Sequence, residues 1–120
     1  MTLDLAAEVT ASGALLVTVA TNLPDGADVG GWLSSGDYQA QDHQFVDGGV
    51  VVLGPFSDDG GRLQSGTYGF SVSMSVARLQ SAEVRRYIGE KGELMTGPYV
   101  VPDTIEGGFW VNFDTTVTVP

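Results

Sequence analysis

The stretch SGTYGFSVSMSV, residues 65–76, alternates large apolar side chains with small or polar ones almost without interruption. One phase consists of large apolar residues, namely Tyr68, Phe70, Val72, Met74 and Val76. Because successive side chains of a β-strand point to opposite faces, this pattern predicts a strand with one buried and one solvent-facing face. A helix would scatter the same apolar residues around its axis.

Similar alternation recurs along the chain. Further strands are predicted in TLDLAAEVT, ALLVTVAT, ADVGGWLS, YQAQDHQFV, VVVLGPF and YVV, and in a last segment from Phe109 to Val119. Turn formers separate them: Ser12-Gly13 between the first two segments, NLPDG after the second, and Asp47-Gly48 after the fourth. Most strands that follow one another in sequence are therefore expected to be antiparallel and joined by short turns.

The only helical text is SAEVRRYIG, residues 81–89. Ser81 is a suitable N-cap and Gly89 a suitable C-terminal stop. Val84, Tyr87 and Ile88 are spaced to share one face, which predicts that this face docks on the sheets.

Seven to nine short strands with one short helix near residues 81–89 predict an all-β fold, an immunoglobulin-like antiparallel β-sandwich. Residues 1–120 are expected to form a single β-sandwich domain. Zero Cys excludes disulfides and a cysteine nucleophile.

Two aromatic positions refine this prediction. Tyr68 lies two residues before Phe70, as in the tyrosine corner at the start of strand F of immunoglobulin-like domains. Phe70 then takes the place of the second Cys of antibody domains, and Trp32 takes the place of their core Trp. Trp32 is accordingly expected in the core, turned inward by a bulge at Gly30-Gly31.

Charge is strongly acidic and unevenly distributed. The net charge is −10, and the first 61 residues contain nine acids and no base. Nucleic acid and anionic membranes would be repelled by most of this surface. No apolar run reaches membrane-spanning length, so direct membrane insertion is not expected.

Two sets of residues are candidates for binding. Arg85, Arg86 and Lys91 form the only basic cluster, which suits contact with an acidic protein partner or with the acidic half of a second copy. The alternative set is aromatic and would stack on sugar rings: Trp110, with Tyr38 and Tyr99. Trp110 shares its phase with Asn112, opposite Val111, which makes it the better candidate for an outward aromatic. The alternative is that the helix or the segment EKGELMTGPYVV covers it.

Catalytic and metal chemistry find little support in the residues. His43 is the single histidine and has no nucleophile motif near it, so no catalytic residue is assigned and the chain is predicted not to be an enzyme. Acidic turns provide weak calcium candidates, namely Asp25, Asp28, Asp58 and Asp59, but their spacing follows no known calcium loop. No cofactor is expected, with calcium as the alternative.

Three phrases, TNLPDGADV, GPFSDDGGRLQSGTYGF and EVRRYIGEKGELMTGPYV, resemble an uncharacterised bacterial immunoglobulin-like β-sandwich module that is usually found in anchored or exported proteins. The resemblance covers about residues 21–101. It implies the sandwich fold and a display role, and it transfers no site.

These observations predict a non-catalytic protein-interaction or structural module, displayed on a larger protein, a cell surface or a particle. Its partner would be another protein or a second copy. The alternatives are a carbohydrate-binding module, with or without calcium, and a virion decoration or tail protein. An extracytoplasmic location is favoured if an anchor belongs to the natural protein.

Overall fold

The computed structural model describes residues 3–74, 77–102, 104–105 and 107–120. The described chain contains these strands: β1 (Leu3–Val9), β2 (Leu15–Thr21), β3 (Asp28–Ser35), β4 (Tyr38–Phe45), β5 (Val50–Phe56), β6 (Gly66–Met74), β7 (Val100–Pro102) and β8 (Phe109–Val119). One 3-10 turn (Ala77–Leu79) and one helix, α1 (Ala82–Ile88), lie between β6 and β7. The last two residues of the opening alternation, Ser75 and Val76, and Thr2 of the first predicted strand, lie outside the described residues.

The strands form two antiparallel sheets. A three-stranded sheet has the order β1-β2-β5, and a five-stranded sheet has the order β4-β3-β6-β8-β7. The predicted all-β antiparallel sandwich is therefore confirmed, and the described residues form eight strands and one short helix. The fourth strand pairs with the third and so belongs to the five-stranded sheet.

The core lies between the sheets and is filled by alternate residues of each strand. In β2 the inward residues are Leu15, Val17 and Val19, and in β6 they include Phe70 and Val72. Each is almost completely removed from water, which is the main favourable contribution to folding. The outward residues of the same strands supply the second face of each sheet.

The tyrosine corner is present. Tyr68 is buried, and its Oη donates a hydrogen bond to the backbone carbonyl of Gln64 at 2.7 Å. This bond ties the chain that enters β6 to the strand itself, as expected for the corner before strand F. The sequence prediction at this position is confirmed.

The prediction for Trp32 was wrong. The pairing of β3 with β6 runs without a break from Val29 to Ser34, so there is no bulge at Gly30-Gly31. Trp32 therefore keeps the phase opposite to Leu33, and its side chain points to solvent with 49% of its surface exposed. Leu33 is fully buried and takes the core position instead.

Helix α1 begins as predicted but docks through fewer residues. The Ser81 side chain accepts a hydrogen bond from the backbone N–H of Val84 at 3.2 Å, and Gly89 ends the helix at a φ of 93°. Val84 and Ile88 are buried, whereas Tyr87 is 71% exposed. Two buried residues, one turn apart, are thus enough to seat this short helix.

A buried glutamine attaches the segment before α1 to the five-stranded sheet. The Gln80 side-chain oxygen accepts from the backbone N–H of Asp28 at 2.9 Å, and its amide nitrogen donates to the carbonyl of the same residue at 3.2 Å. The segment from β6 to β7 is therefore held at the end of the sandwich where β3 begins. No helix in the described part of the chain is long and apolar enough to cross a membrane.

Candidate functional site

A groove of about 450 Å³ lies on the outer face of the five-stranded sheet. It is lined by residues of β3, β4, β6 and β8, and the two tryptophans of the chain, Trp32 and Trp110, both contribute to it. Trp32 is half exposed and Trp110 is half-buried. Each ring is therefore partly held by the protein and still has a surface that a ligand can contact.

The floor of the groove consists of small residues on adjacent strands. Ser73 lies opposite Gly30 on one side and opposite Asn112 on the other. Ser71 lies in the next outward row, opposite Trp32 and Asp114. Because the strands themselves fix these positions, the floor is set by sheet register and not by loop conformation.

The two consecutive glycines of β3 have different environments. A Cβ added to Gly31 would lie 2.8 Å from side-chain atoms of Leu53 and Phe70, so the core leaves no room for it. A Cβ added to Gly30 would meet no atom closer than 3.8 Å. Packing thus demands a glycine at position 31, while the glycine at position 30 leaves space open in the groove.

Polar side chains around the floor can exchange hydrogen bonds with a ligand. Gln41 and Asn112 present amides, and the Ser71 hydroxyl is hydrogen-bonded to Asp114 at 2.6 Å. Neither Lys nor Arg is among the lining residues. The groove therefore suits a neutral ligand that carries both donors and acceptors.

His43 lies at the β4 side of this groove. Its Nδ1 is 3.1 Å from a carboxylate oxygen of Asp28, and the two side chains are 71% and 21% exposed. No serine hydroxyl is hydrogen-bonded to His43 in the parts of the chain that the structure describes. The ring is thus an exposed hydrogen-bonding group next to the groove.

The three aromatic candidates from the sequence lie in different places. Trp110 lines the groove. Tyr99 packs edge-on against Phe113 with ring centroids 4.6 Å apart. Tyr38 is the first residue of β4, away from the groove, and its hydroxyl donates a hydrogen bond to the backbone carbonyl of Ser57 at 2.8 Å. The aromatic partner of Trp110 across the groove is Trp32.

Sequence reasoning missed Trp32 because it gave the glycine pair more weight than the alternation. In ADVGGWLS, simple counting from Val29 to Leu33 already places Trp32 on the outward face. That count is correct when no bulge intervenes, and the structure shows none. The alternation in the sequence thus indicated the outward position of Trp32, and the expected bulge at Gly30-Gly31 was wrong.

The basic candidates are exposed or partly exposed but are interleaved with acids. Arg85 is paired with Glu90 at 3.1 Å and also donates to the backbone carbonyl of Gln80. Arg86 and Lys91 are exposed, and the backbone N–H of Lys91 donates to a carboxylate oxygen of Glu93 at 2.8 Å. Their contact with a partner stays a prediction.

The calcium candidates fall at opposite ends of the sandwich. Asp25 accepts a hydrogen bond from the backbone N–H of Gly48 at 2.9 Å, beside the end of β3 that carries Asp28. Asp58 and Asp59 lie in the turn after β5, at the other end. Among the described residues, no three His, Cys, Asp or Glu side chains are close enough to hold a metal ion.

Two other cavities lie at the ends of the sandwich. One of about 600 Å³ lies between α1 and the loop after β2, with Tyr87 and Leu94 exposed at its rim. The other, of about 700 Å³, is acidic and contains Asp58 and Asp59. Neither places two tryptophans over a floor of strand residues.

The chain matches no protein-family model, no curated protein and no solved structure. Function must therefore be inferred from the geometry of the groove. Two indole rings, a floor of small residues that includes two serines, and two amide side chains can hold a ligand that has both apolar faces and many hydroxyl groups.

Proposed function

We propose that this chain is a non-catalytic binding module that takes a neutral saccharide in the groove on the outer face of its five-stranded sheet. The observation that carries the proposal is the placement of Trp32 and Trp110 around the small residues Gly30, Ser71 and Ser73. A sugar ring has an apolar face of C–H groups and an equatorial belt of hydroxyls. Indole rings complement the first, and hydroxyl, amide and carboxylate groups complement the second.

Several features of the groove favour a saccharide over other small ligands. Its volume of about 450 Å³ is within the usual range for small-molecule sites, roughly 300–1,000 Å³. An anionic ligand would find no Lys or Arg in the lining and would approach a molecule of net charge −10. The hydroxyls of Ser71 and Ser73 and the amides of Gln41 and Asn112 can instead exchange hydrogen bonds with sugar hydroxyls.

The rigidity of the floor supports a role in binding. The lining residues belong to paired strands, so little conformational entropy is lost when a ligand is held there. His43 is engaged with Asp28 and lies at the edge of the groove, which suits a hydrogen bond to the ligand.

The proposal is tested by screening the chain on an array of neutral glycans and measuring the affinity of any ligand by titration calorimetry. Trp32→Ala and Trp110→Ala should each weaken binding by about tenfold or more, because removing a central aromatic contact costs at least about 1.4 kcal/mol. Tyr87→Ala is the matched control, since Tyr87 is a highly exposed aromatic outside the groove.

A ligand that binds both tryptophan variants as tightly as the unmodified chain would contradict the proposed site. Failure to bind any neutral glycan, in a folded preparation, would contradict the proposed ligand class. Circular dichroism of each variant shows whether the preparation is folded.

We also propose protein contact as a second function, in a module displayed on a larger protein, cell surface or particle. The specific observation that favours it is the unpaired backbone edge of β8 beyond β7. Strand addition at such an edge is a common mode of protein recognition.

A further inference from the structure

The edge of the five-stranded sheet is only partly covered. β8 extends from Phe109 to Val119, but β7 pairs only with Phe109, Trp110 and Val111. The backbone N–H of Asn112 still reaches the carbonyl of Tyr99, and after that residue the chain of β7 no longer lies beside β8. The second half of β8 is thus an open edge.

The direction of the open backbone groups follows from strand geometry. Residues along a strand point their N–H and C=O groups alternately to one neighbour and to the other. The backbone N–H of Asn112 points toward β7. The backbone groups of every second residue after it therefore point to the same side, namely those of Asp114, Thr116 and Thr118. Their backbone groups have no backbone partner in the described part of the chain.

The other edges carry features that discourage pairing. β1 bears the exposed acids Asp4 and Glu8, β4 bears Asp42, and prolines interrupt the donors of β5 and β7 at Pro55 and Pro102. Charges and prolines of this kind are the usual protection of edge strands. These edges are therefore poor templates for another strand.

The open half of β8 carries a single acid, Asp114, where it begins, and it has no charge and no proline from Thr115 to Val119. Its sequence from residue 114 is DTTVTV, in which every residue after Asp114 is β-branched and none is charged. β-branched residues favour the extended conformation, and an edge of this type is a template for pairing with another chain. Contact with a second strand is the natural consequence.

We propose that the occupant is a second copy of this chain, paired antiparallel through β8 with the two Thr116 residues facing each other on a two-fold axis. Asp114 of each copy then lies opposite Thr118 of the other, so no like charges face each other. Each of these opposed pairs exchanges two backbone hydrogen bonds. The interface is self-complementary, as two-fold symmetry requires.

The inward phase of the strand fits the same register. Thr115 and Val117 are half-buried at the margin of the core, and Val117 packs against core residues. In the paired arrangement Thr115 of one copy lies opposite Val117 of the other. Two partly exposed side chains per copy are therefore covered by β-branched partners, which adds apolar burial to the backbone pairing.

Charge sets the conditions for this association. Each copy carries a net charge of −10, so two copies repel one another at low ionic strength. Salt screens that repulsion, and the dimer should become tighter as salt rises. A contact between basic and acidic surfaces would respond in the opposite way.

The proposal deepens the protein-contact function, on which it rests, and it also bears on the groove. In a two-fold dimer joined edge to edge, the outer faces of the two five-stranded sheets form one continuous surface. Both copies of the Trp32 and Trp110 groove then open on the same side. A surface that carries several saccharide chains would be held by two sites at once, which raises its apparent affinity.

The test is analytical ultracentrifugation of the whole chain over a range of protein and salt concentrations, with Thr116→Pro as the disrupting variant. The N–H of Thr116 is not used by the pairing with β6, so proline at this edge position leaves the intramolecular sheet intact while removing a donor from the interface. We expect a dimer whose dissociation constant rises about tenfold or more in Thr116→Pro.

Thr116→Val is the matched control, because it keeps the branched shape and the backbone donor and should dimerise like the unmodified chain. A monomer at every concentration and salt level would overturn the proposal. So would a dimer that Thr116→Pro leaves unchanged. Saccharide binding by single sites is measured separately on Thr116→Pro and is expected to persist, since Thr116 does not line the groove.

Discussion

Gly30 and Gly31 illustrate how neighbouring residues of one type can serve different purposes. Gly31 faces the core, where Leu53 and Phe70 already occupy the space of a side chain. Gly30 faces outward, where its missing side chain widens the groove between the tryptophans. The sequence indicated an irregularity at this pair, but it could not show which neighbours fill the space beside each glycine.

This difference predicts opposite results for two alanine substitutions. Gly31→Ala should lower the free energy of unfolding by about 1–3 kcal/mol, because the added methyl overpacks the core. Gly30→Ala should leave it unchanged or raise it by up to about 1 kcal/mol, since alanine restricts the unfolded chain. Urea denaturation of both variants measures the two effects. Equal losses would contradict the assigned environments.

At the level of elements, local sequence patterns predicted the long strands and the helix well. Strand alternation and turn formers act over a few residues, so they are visible in the sequence. The real irregularity in strand pairing lies between Leu15 and Val17 of β2, where the register with β5 shifts. At that place β5 has one residue more than β2, and it contains Gly54-Pro55. A Gly and a Pro inside a strand pattern are a local sign of a bulge, but they do not show which strand lies opposite.

Helix α1 depends on its cap to a greater degree than a long helix would. It has seven residues, too few to be stable alone, and is held by the Ser81 cap and by the burial of Val84 and Ile88. Ser81→Ala should therefore lower the free energy of unfolding by about 1 kcal/mol. Ser81→Asp keeps a capping oxygen and should be close to the unmodified chain.

The two Ser81 variants are compared by thermal and urea denaturation. If Ser81→Ala is as stable as Ser81→Asp, the cap does not contribute to holding the segment between β6 and β7. Hydrogen exchange of the Val84 amide would report the same loss locally.

On the scale of the whole molecule, Tyr38 connects the five-stranded sheet to the chain that leaves the three-stranded sheet, at the end of the sandwich opposite the start of β3. Tyr38 and Tyr68 meet edge-on with ring centroids 5.8 Å apart, and the Tyr38 hydroxyl bonds to Ser57 in the segment after β5. This hydrogen bond joins β4 of one sheet to the chain leaving the other. Tyr68 was foreseen from the sequence, whereas the role of Tyr38 depends on the way β4 pairs with β3.

This link predicts sensitivity to alkaline pH. Burial, with smaller contributions from Tyr68 and the charge of Asp58, raises the pKa of Tyr38 above its ordinary value of 10.0. The folded state therefore keeps the Tyr38 proton at pH values where the unfolded chain loses it. The stabilisation is fully present below about pH 10 and is lost as pH rises through the folded pKa.

Tyr38→Phe isolates this effect, because it removes the titrating group and one hydrogen bond worth about 1 kcal/mol. We expect the unmodified chain to be the more stable by a constant margin at neutral pH, and that margin to shrink above about pH 10. Urea denaturation from pH 7 to 11 measures it. A margin that widens at high pH would contradict the raised pKa.

The location of both tryptophans has a practical consequence. The chain contains no other tryptophan, so its tryptophan fluorescence arises from the two sides of the groove. A guest that stacks on these indoles and displaces water should shift the emission maximum without any attached dye. The molecule thus carries its own optical reporter of occupancy.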